Sequence, residues 1–281
     1  MSEHASPLAP PTLAVVIVSY NVREDLAACL PTVLGHTAPF PTEVIVVDNQ
    51  SSDGTPEMVR AEWPDVRLIE AGGNLGFARA NNLGIRASSS DYVLLLNPDT
   101  LVPPGAIPSL VRALATHPEA AIAGPRIVDE RGFPELSFGP MLHPVGELWQ
   151  KAVLSLYVRR VRWVVRRVDL WTREGGPRAW VSGACLLARR SDLEEAGLLD
   201  ERFFLYTEDV DLCATVRRRG RAVLFAPQAQ IVHRRGRAGA ADPARTLAYR
   251  RQSHVAFYEK HYPRLAPLLR WWIRLRDGPR S

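Results

Sequence analysis

The apolar positions of this chain change their period several times, and those changes divide it. LAVVIVSY (13–20) is an unbroken β-branched run, the pattern of a strand covered on both faces. VREDLAACLPTVL follows with helical spacing at Val22, Leu26, Leu30 and Val33/Leu34. TEVIVVDN (42–49) predicts a second strand, and SSDGTPEMVRAEW a second helix with Pro56 in its first turn. VRLIEA reads as a short third strand, FARANNLGIRAS as a helix, DYVLLLN (91–97) as a fourth strand, GAIPSLVRALATH as a helix and AAIAGPRIVD as a further strand. Such alternation predicts an α/β fold, a mostly parallel sheet flanked by helices on both faces.

The second half is less regular. Residues 131–180 mix Pro, Gly, Trp and Arg. WVSGACLLARRSDLEEAG (180–197) predicts a strand and then a helix capped at Ser191 or Asp192. FFLYTEDVDLCATVRRRG (203–220) predicts a helix that ends at Gly220 after three arginines. RAVLFAP and QIVHRRG read as two further strands. Residues 149–171 predict one helix with Trp149, Val153, Leu156/Tyr157, Val161, Val164, Val168 and Trp171 on one face. The C-terminal segment offers Leu265, Leu268/Leu269, Trp272 and Leu275 on one side, with Pro263 and Pro267 breaking it from the helix before.

Composition narrows the classes. The 281 residues, 46% of them hydrophobic, suffice for one large α/β domain or two small ones. MSEHASPLAPPT lacks the basic and apolar regions of a signal peptide and reads as a loose tail. No apolar run is long enough to span a membrane. Cys29, Cys185 and Cys213 have neither metal nor redox spacing and are expected as buried free thiols in a reducing cytoplasm. The formal charge is +5, but it is uneven: residues 147–178 hold eight Lys/Arg against three Asp/Glu, residues 244–281 hold nine against two, and the remainder is acidic. That distribution points to a localised anionic partner and away from nucleic acid. The two basic segments suit an anionic membrane surface; alternatively, their apolar faces pack on the main domain and the arginines are simply solvated.

Candidate chemistry collects after strands. In open α/β sheets ligands sit beyond the carboxyl ends of the strands, and three runs here end in SYN, DNQSSDGT and NPDT. Asp99, at the tip of the aliphatic run VLLLNPDT and aimed by Pro98, is a hard oxygen ligand suited to Mg²⁺ or Mn²⁺, although Asn-Pro-Asp is also an ordinary turn. Asp48 ends a buried strand and could accept from a nucleobase N–H. Asp53, Gly54 and Thr55 read mainly as structural. In GGNLGFARANNLG (72–84) backbone can approach a ligand at Gly73, and Asn74 can donate to a ribose or phosphate. YTEDVDLC clusters Glu208, Asp209 and Asp211, with Asp200 upstream, near a helix start; a general base needs such a carboxylate in a partly desolvated place. His233 is followed by Arg234 and Arg235, two cations expected to lower its pKa and favour the neutral, metal-binding ring.

The ordered series VVIVSYN, VIVVDNQSSDGT, GGNLGFARANNLG, LLLNPDT, VSGACLLARRS, GLLDERFFLYTEDVDLCATVRRRG and IVHRRG resembles the inverting glycosyltransferases of family 2, in particular their rhamnosyltransferase-like branch. The resemblance implies a GT-A fold over residues 13–240, with a nucleotide-sugar half (13–130) and an acceptor half (131–240), between the tail (1–12) and a basic helical extension (241–281). It implies that Ser19, Tyr20 and Asp48 hold the base, and that Gly73, Asn74 and Arg79 lie near the sugar nucleotide. NPDT stands where the family has an Asp-x-Asp metal motif. Asn97 departs from its first aspartate and suits the ribose or a water, whereas Asp99 and His233 are implied as ligands to Mn²⁺ or Mg²⁺. Asp209 is implied as the catalytic base, with Glu208 beside it in the acceptor site, and Gly183 and Ala184 as borders of the sugar and acceptor. The expected reaction moves a sugar, dTDP-rhamnose being the favoured donor and a UDP-hexose the second, onto a glycan or polyprenyl-linked acceptor. The expected location is cytoplasmic, peripheral on the inner face of the membrane. Two rivals are a sugar-phosphate nucleotidyltransferase, which would want a basic glycine-rich loop where SYNVREDL stands, and a non-catalytic sugar-nucleotide or glycan-binding relative.

Overall fold

The computed structural model describes residues 10–234 and 243–277. The tail's first nine residues, and Arg235 and Gly236 of the last motif, lie outside the described residues. The first half runs β1 (Leu13–Ser19), α1 (Arg23–Leu34), β2 (Thr42–Asp48), α2 (Thr55–Glu62), β3 (Arg67–Glu70), α3 (Phe77–Arg86), β4 (Tyr92–Leu96), β5 (Thr100–Leu101), α4 (Ala106–Thr116) and β6 (Ala120–Val128). Then come β7 (Phe138–Gly139), α5 (Pro144–Val158), α6 (Arg162–Trp171), β8 (Gly176–Pro177), β9 (Trp180–Val181), β10 (Cys185–Arg189) and α7 (Arg190–Ala196). The chain closes with α8 (Glu208–Arg218), β11 (Ala222–His233), α9 (Pro243–His261) and α10 (Ala266–Asp277).

Among the described residues nine strands form one sheet in the order β3-β2-β1-β4-β10-β6-β11-β5, with β8 also paired to β11, while β7 and β9 form a separate ladder. The first four strands are parallel, as the unbroken apolar runs predict. Beyond them the sheet is mixed: β10 runs antiparallel to both β4 and β6, and β11 is parallel to β6. The two-residue period of β1 explains the two-sided core. Val15 and Ile17 join Leu26, Leu30 and Ile107 of α1 and α4 on one face, whereas Val16 and Val18 join Ala78, Leu212 and Phe257 of α3, α8 and α9 on the other.

Three expectations need correction. The helix read over 149–171 is two helices, because the chain breaks between Val158 and Arg162, where Arg160 takes a left-handed φ of 57°. RAVLFAP and QIVHRRG are one strand, β11, whose pairing with β6 slips between Ala226 and Gln230. The helix expected to be capped at Ser191 or Asp192 starts at Arg190, and Asp192 instead forms a two-point ion pair with Arg221 at 2.6 and 2.9 Å. Gly220 has φ 81° just past α8, as its place after three arginines predicts. The three cysteines are buried and free. α9 is part of the core: Phe257 and Tyr258 are buried, and Lys260 and His261 reach Asp211 at 2.8 and 2.6 Å.

Candidate active site

One edge of the sheet gathers the carboxyl ends of β1, β2, β4 and β11. β10, running the other way, brings its amino end there, since Cys185 pairs with Leu96. Gly183 and Ala184 therefore arrive beside the NPDT turn, and the Asn97 amide donates to the Ala184 carbonyl at 2.9 Å. One residue back, the Gly183 amide donates to Asp209 Oδ2 at 2.8 Å. A Cβ on Gly183 would stand 3.1 Å from that of Asp209, so any side chain there would press on the Asp209 side chain. Asp99 and Asp209, 110 positions apart in the chain, thus share one edge, connected through Asn97, Ala184 and Gly183.

Asp209 occupies the first turn of α8, where helix N–H groups favour a carboxylate. Burial pushes its pKa up, against the amides of Gly183 and Val210 (2.8 Å each), which stabilise the charged form. Burial and the neighbouring Asp209 charge push Glu208 well above the usual carboxylate range, and its Oε2 has no hydrogen-bond partner among the described residues. Burial thus raises both carboxyl groups, Glu208 further because the Asp209 charge adds to it and Asp209 less because two amides favour its charged form. Asp211 and Asp200 are occupied elsewhere, both paired with Lys260 at 2.8 and 2.9 Å. The turn into α8 is strained: Tyr206 and Thr207 are consecutive non-glycine residues with φ of 70° and 73°. α9 holds it, with Tyr249 stacked on Phe204 at 4.3 Å, Arg250 over the Tyr206 ring at 4.6 Å, and Ser253 Oγ donating to the Leu205 carbonyl at 2.9 Å.

Asp99 and His233 meet because β5 pairs antiparallel with the end of β11, Thr100 opposite His233. His233 Nε2 lies 3.1 Å from Asp99 Oδ1, and Nδ1 lies 3.2 Å from Glu135 Oε2. This corrects the expected lowering of the His233 pKa. Burial alone would lower it, but the two carboxylates outweigh burial and hold it at about 9. Below its ordinary value of 6.5 the protonated ring contributes its full stabilisation, which is lost as pH rises through about 9. In chelator-treated protein we therefore expect His233→Gln to lower Tm by roughly 2–6 °C near pH ~6 and by much less near pH ~10. A deficit that is constant across that range in thermal scans would contradict the assignment.

At the other end of the edge, Ser19 pairs with Asp48 across β1 and β2. Asp48 Oδ2 accepts from the Ser51 amide at 2.9 Å, whereas its Oδ1 and the Ser19 hydroxyl are buried without partners among the described residues. Tyr20 is exposed beside them. Asp53 ties the two loops together, accepting from the amides of Arg23 (2.9 Å) and Thr55 (3.1 Å). Gly73 lies in the loop before α3, and Asn74 Oδ1 accepts from Asn49 Nδ2 (3.1 Å) and the Gly76 amide (3.2 Å), which fixes that loop. Gly76 has φ 83°, and a Cβ there would come within 2.5 Å of the Phe204 carbonyl, which accepts from the Phe77 amide at 2.7 Å. The loop before α3 is thus bonded to the loop before α8. Arg79 pairs with Glu201 at 3.3 Å.

Glu135 and Asn49 are the residues that sequence reasoning missed. Asn49 signals itself weakly as the amide after Asp48. Glu135 carries no local signal, since its partner is 98 positions away.

Known proteins resemble this chain in sequence and in fold. The sequence model described as glycosyl transferase family 2 matches residues 14–196. The N-acetylglucosaminyl-diphospho-decaprenol L-rhamnosyltransferase of Mycobacterium tuberculosis (strain H37Rv) is 33% identical, over 93% of this chain and 89% of its own. The low-salt glycan biosynthesis hexosyltransferase Agl10 of Haloferax volcanii is 29% identical over 73% of this chain and 62% of its own. Among solved structures, GalNAc-T7 with UDP, GalNAc and Mn²⁺ superposes with a TM-score of 0.65 at 16% identity, over 90% of this chain and 48% of that one. The mannosyltransferase PcManGT from Pyrobaculum calidifontis, with GDP-Man and Mn²⁺, gives 0.58 at 21%, over 94% and 70%. The fold is therefore that of GT-A glycosyltransferases, and with the family model spanning most of the sheet, the chain belongs to glycosyl transferase family 2.

Proposed function

We propose that this inverting glycosyltransferase takes a sugar from a nucleoside diphosphate donor, dTDP-rhamnose first and a UDP-hexose second, and places it on a glycan or polyprenyl-linked acceptor. The observation that carries the reading is the shared edge: the bond from Asn97 to Ala184 and the bond from Gly183 to Asp209 bring a candidate base beside the Asp99–His233 pair. The unpartnered Asp48 Oδ1 suits the ring N–H of a uracil or thymine, and the Ser19 hydroxyl lies next to it. Rhamnose is favoured by likeness to the mycobacterial rhamnosyltransferase, whose name gives a decaprenol-linked substrate. An acceptor of that kind would place the chain as a peripheral protein on the cytoplasmic face of a membrane.

The donor set fits a divalent cation. A carboxylate oxygen and an imidazole nitrogen 3.1 Å apart in a largely buried position suit Mn²⁺ or Mg²⁺, with the remaining positions left to diphosphate and water. Such an ion, when bound, neutralises charge on the departing diphosphate. Asp99 and His233 would hold it, and Glu135, accepting from Nδ1–H, would keep Nε2 as the ligating nitrogen. Asp209 would take the proton from the acceptor hydroxyl as that oxygen attacks the anomeric carbon from the side opposite the diphosphate, inverting the centre. No protein nucleophile is needed. Glu208 beside it, whose protonated form burial favours, would donate a hydrogen bond to the acceptor. Asn74 serves chiefly to shape the donor loop, and Arg79 would have to leave Glu201 to reach the sugar nucleotide.

The test is a panel of nucleotide sugars offered to the purified protein with Mn²⁺ or Mg²⁺. The expected outcome is that dTDP-rhamnose raises Tm most and is the donor consumed. A larger response to a UDP-hexose would reassign the sugar, and no response to any donor would end the reading.

A further inference from the structure

α5 is inside out. Of its fifteen residues the one that is buried is Glu147, which accepts from the Tyr258 hydroxyl at 2.6 Å and contacts His254 at 2.8 Å. Meanwhile Val145 and Leu148 are 71% and 69% exposed. α6 buries Val164 and Val168 and α10 buries Ala266, yet both also leave large apolar side chains in the open, with Trp163 at 67% and Leu275 at 62% exposed and Trp271 more than half exposed. Four of the seven tryptophans lie exposed on these three helices, although tryptophan is ordinarily well covered. The helices are joined: Trp149 and Trp171 meet at 5.5 Å between α5 and α6, and Lys151 of α5 lies 5.8 Å over the Trp272 ring of α10. They therefore bring their exposed apolar side chains onto neighbouring helices, with Lys151 between α5 and α10, and clustered exposed apolar side chains mark contact surfaces where scattered ones do not.

The charges around it choose the occupant. Arg159, Arg162, Arg166 and Arg167 around α6, and Arg264 and Arg274 around α10, are exposed and have no acidic partner among the described residues. A second copy docked by a two-fold axis would set these cations against themselves with few carboxylates to offset them. An anionic phospholipid surface offers phosphates to the arginines, an interface to the tryptophan rings and hydrocarbon to the leucines.

We infer that α5, α6 and α10 form one insertion surface that seats the protein on an anionic phospholipid bilayer, burying side chains as well as attracting charge. The inference deepens the peripheral placement proposed above. It is tested without any sugar nucleotide, so that its failure and the failure of the transfer reaction are separately visible.

The full chain is sedimented with vesicles of phosphatidylcholine alone and of phosphatidylcholine with phosphatidylglycerol, at low and at high salt, and with brominated lipid as a quencher of tryptophan fluorescence. We expect at least about tenfold tighter binding to the anionic vesicles, quenching on binding, and a fraction that stays bound at high salt. The triple variant Leu148→Ser/Trp271→Ser/Leu275→Ser should lose that salt-resistant fraction, while its far-UV circular dichroism and Tm in the absence of lipid match those of the wild type. Unchanged vesicle binding by the variant, complete release of the wild type by salt without quenching, or a dimer in sedimentation velocity that the variant abolishes would each overturn the inference.

Discussion

Asp209→Asn is expected to lower transfer by about 10²–10⁴-fold, the range a general base supplies, while nucleotide affinity stays within about twofold. The asparagine keeps the shape of the side chain but cannot accept a proton at the pH of the reaction. It also retains one acceptor for the amides of Gly183 and Val210, so the fold should persist. The contrast with Glu208→Gln sharpens the result. Burial next to Asp209 favours the protonated form of Glu208, and the amide imitates that form. Turnover should then fall only a few-fold. Initial rates and calorimetric nucleotide titration on both variants check this, and a fully active Asp209→Asn would remove the base from that position.

Asp99→Ala should act on the other half of the reaction. Charge neutralisation at a leaving group is worth several kcal/mol, so turnover should drop on the order of 10³-fold. Mn²⁺ binding in the presence of a nucleoside diphosphate should weaken in parallel, and this can be followed by the Mn²⁺ resonance signal independently of activity. The loss should not be rescued by acidity or base, which separates it from the Asp209 variant. An unaltered Mn²⁺ titration would place the ion elsewhere.

The parts of this molecule that the sequence makes legible are those where one short stretch carries both the strand and its chemistry. VIVVDN and VLLLNPDT announce a buried run and a polar tip, and Asp48 and Asp99 lie where those patterns place them. TEDVDLC marks a first helical turn rich in carboxylates, which includes Asp209, but helix N-termini favour carboxylates generally, and only the fold separates Asp209 from Asp211, which pairs with Lys260. What was illegible depends on partners remote in the chain. Glu135 sits in an irregular stretch and gains meaning only when β11 brings His233 to it, and that contact reverses the pKa shift that Arg234 and Arg235 suggested. Arg79 reads as a donor contact until Glu201, 122 positions on, is seen to hold it. The break at Arg160 has no glycine or proline to mark it.

The grip of α9 on residues 203–207 has a practical corollary. Residues 241–281 look dispensable beside a family match that ends at residue 196, and trimming the gene after residue 240 would be a natural cloning choice. That cut would strip Tyr249, Arg250 and Ser253 from the segment that leads into the left-handed Tyr206–Thr207 turn and uncover the core face that Phe257 and Tyr258 cover. Expression vectors should accordingly retain everything through α10, with any affinity tag fused ahead of Met1.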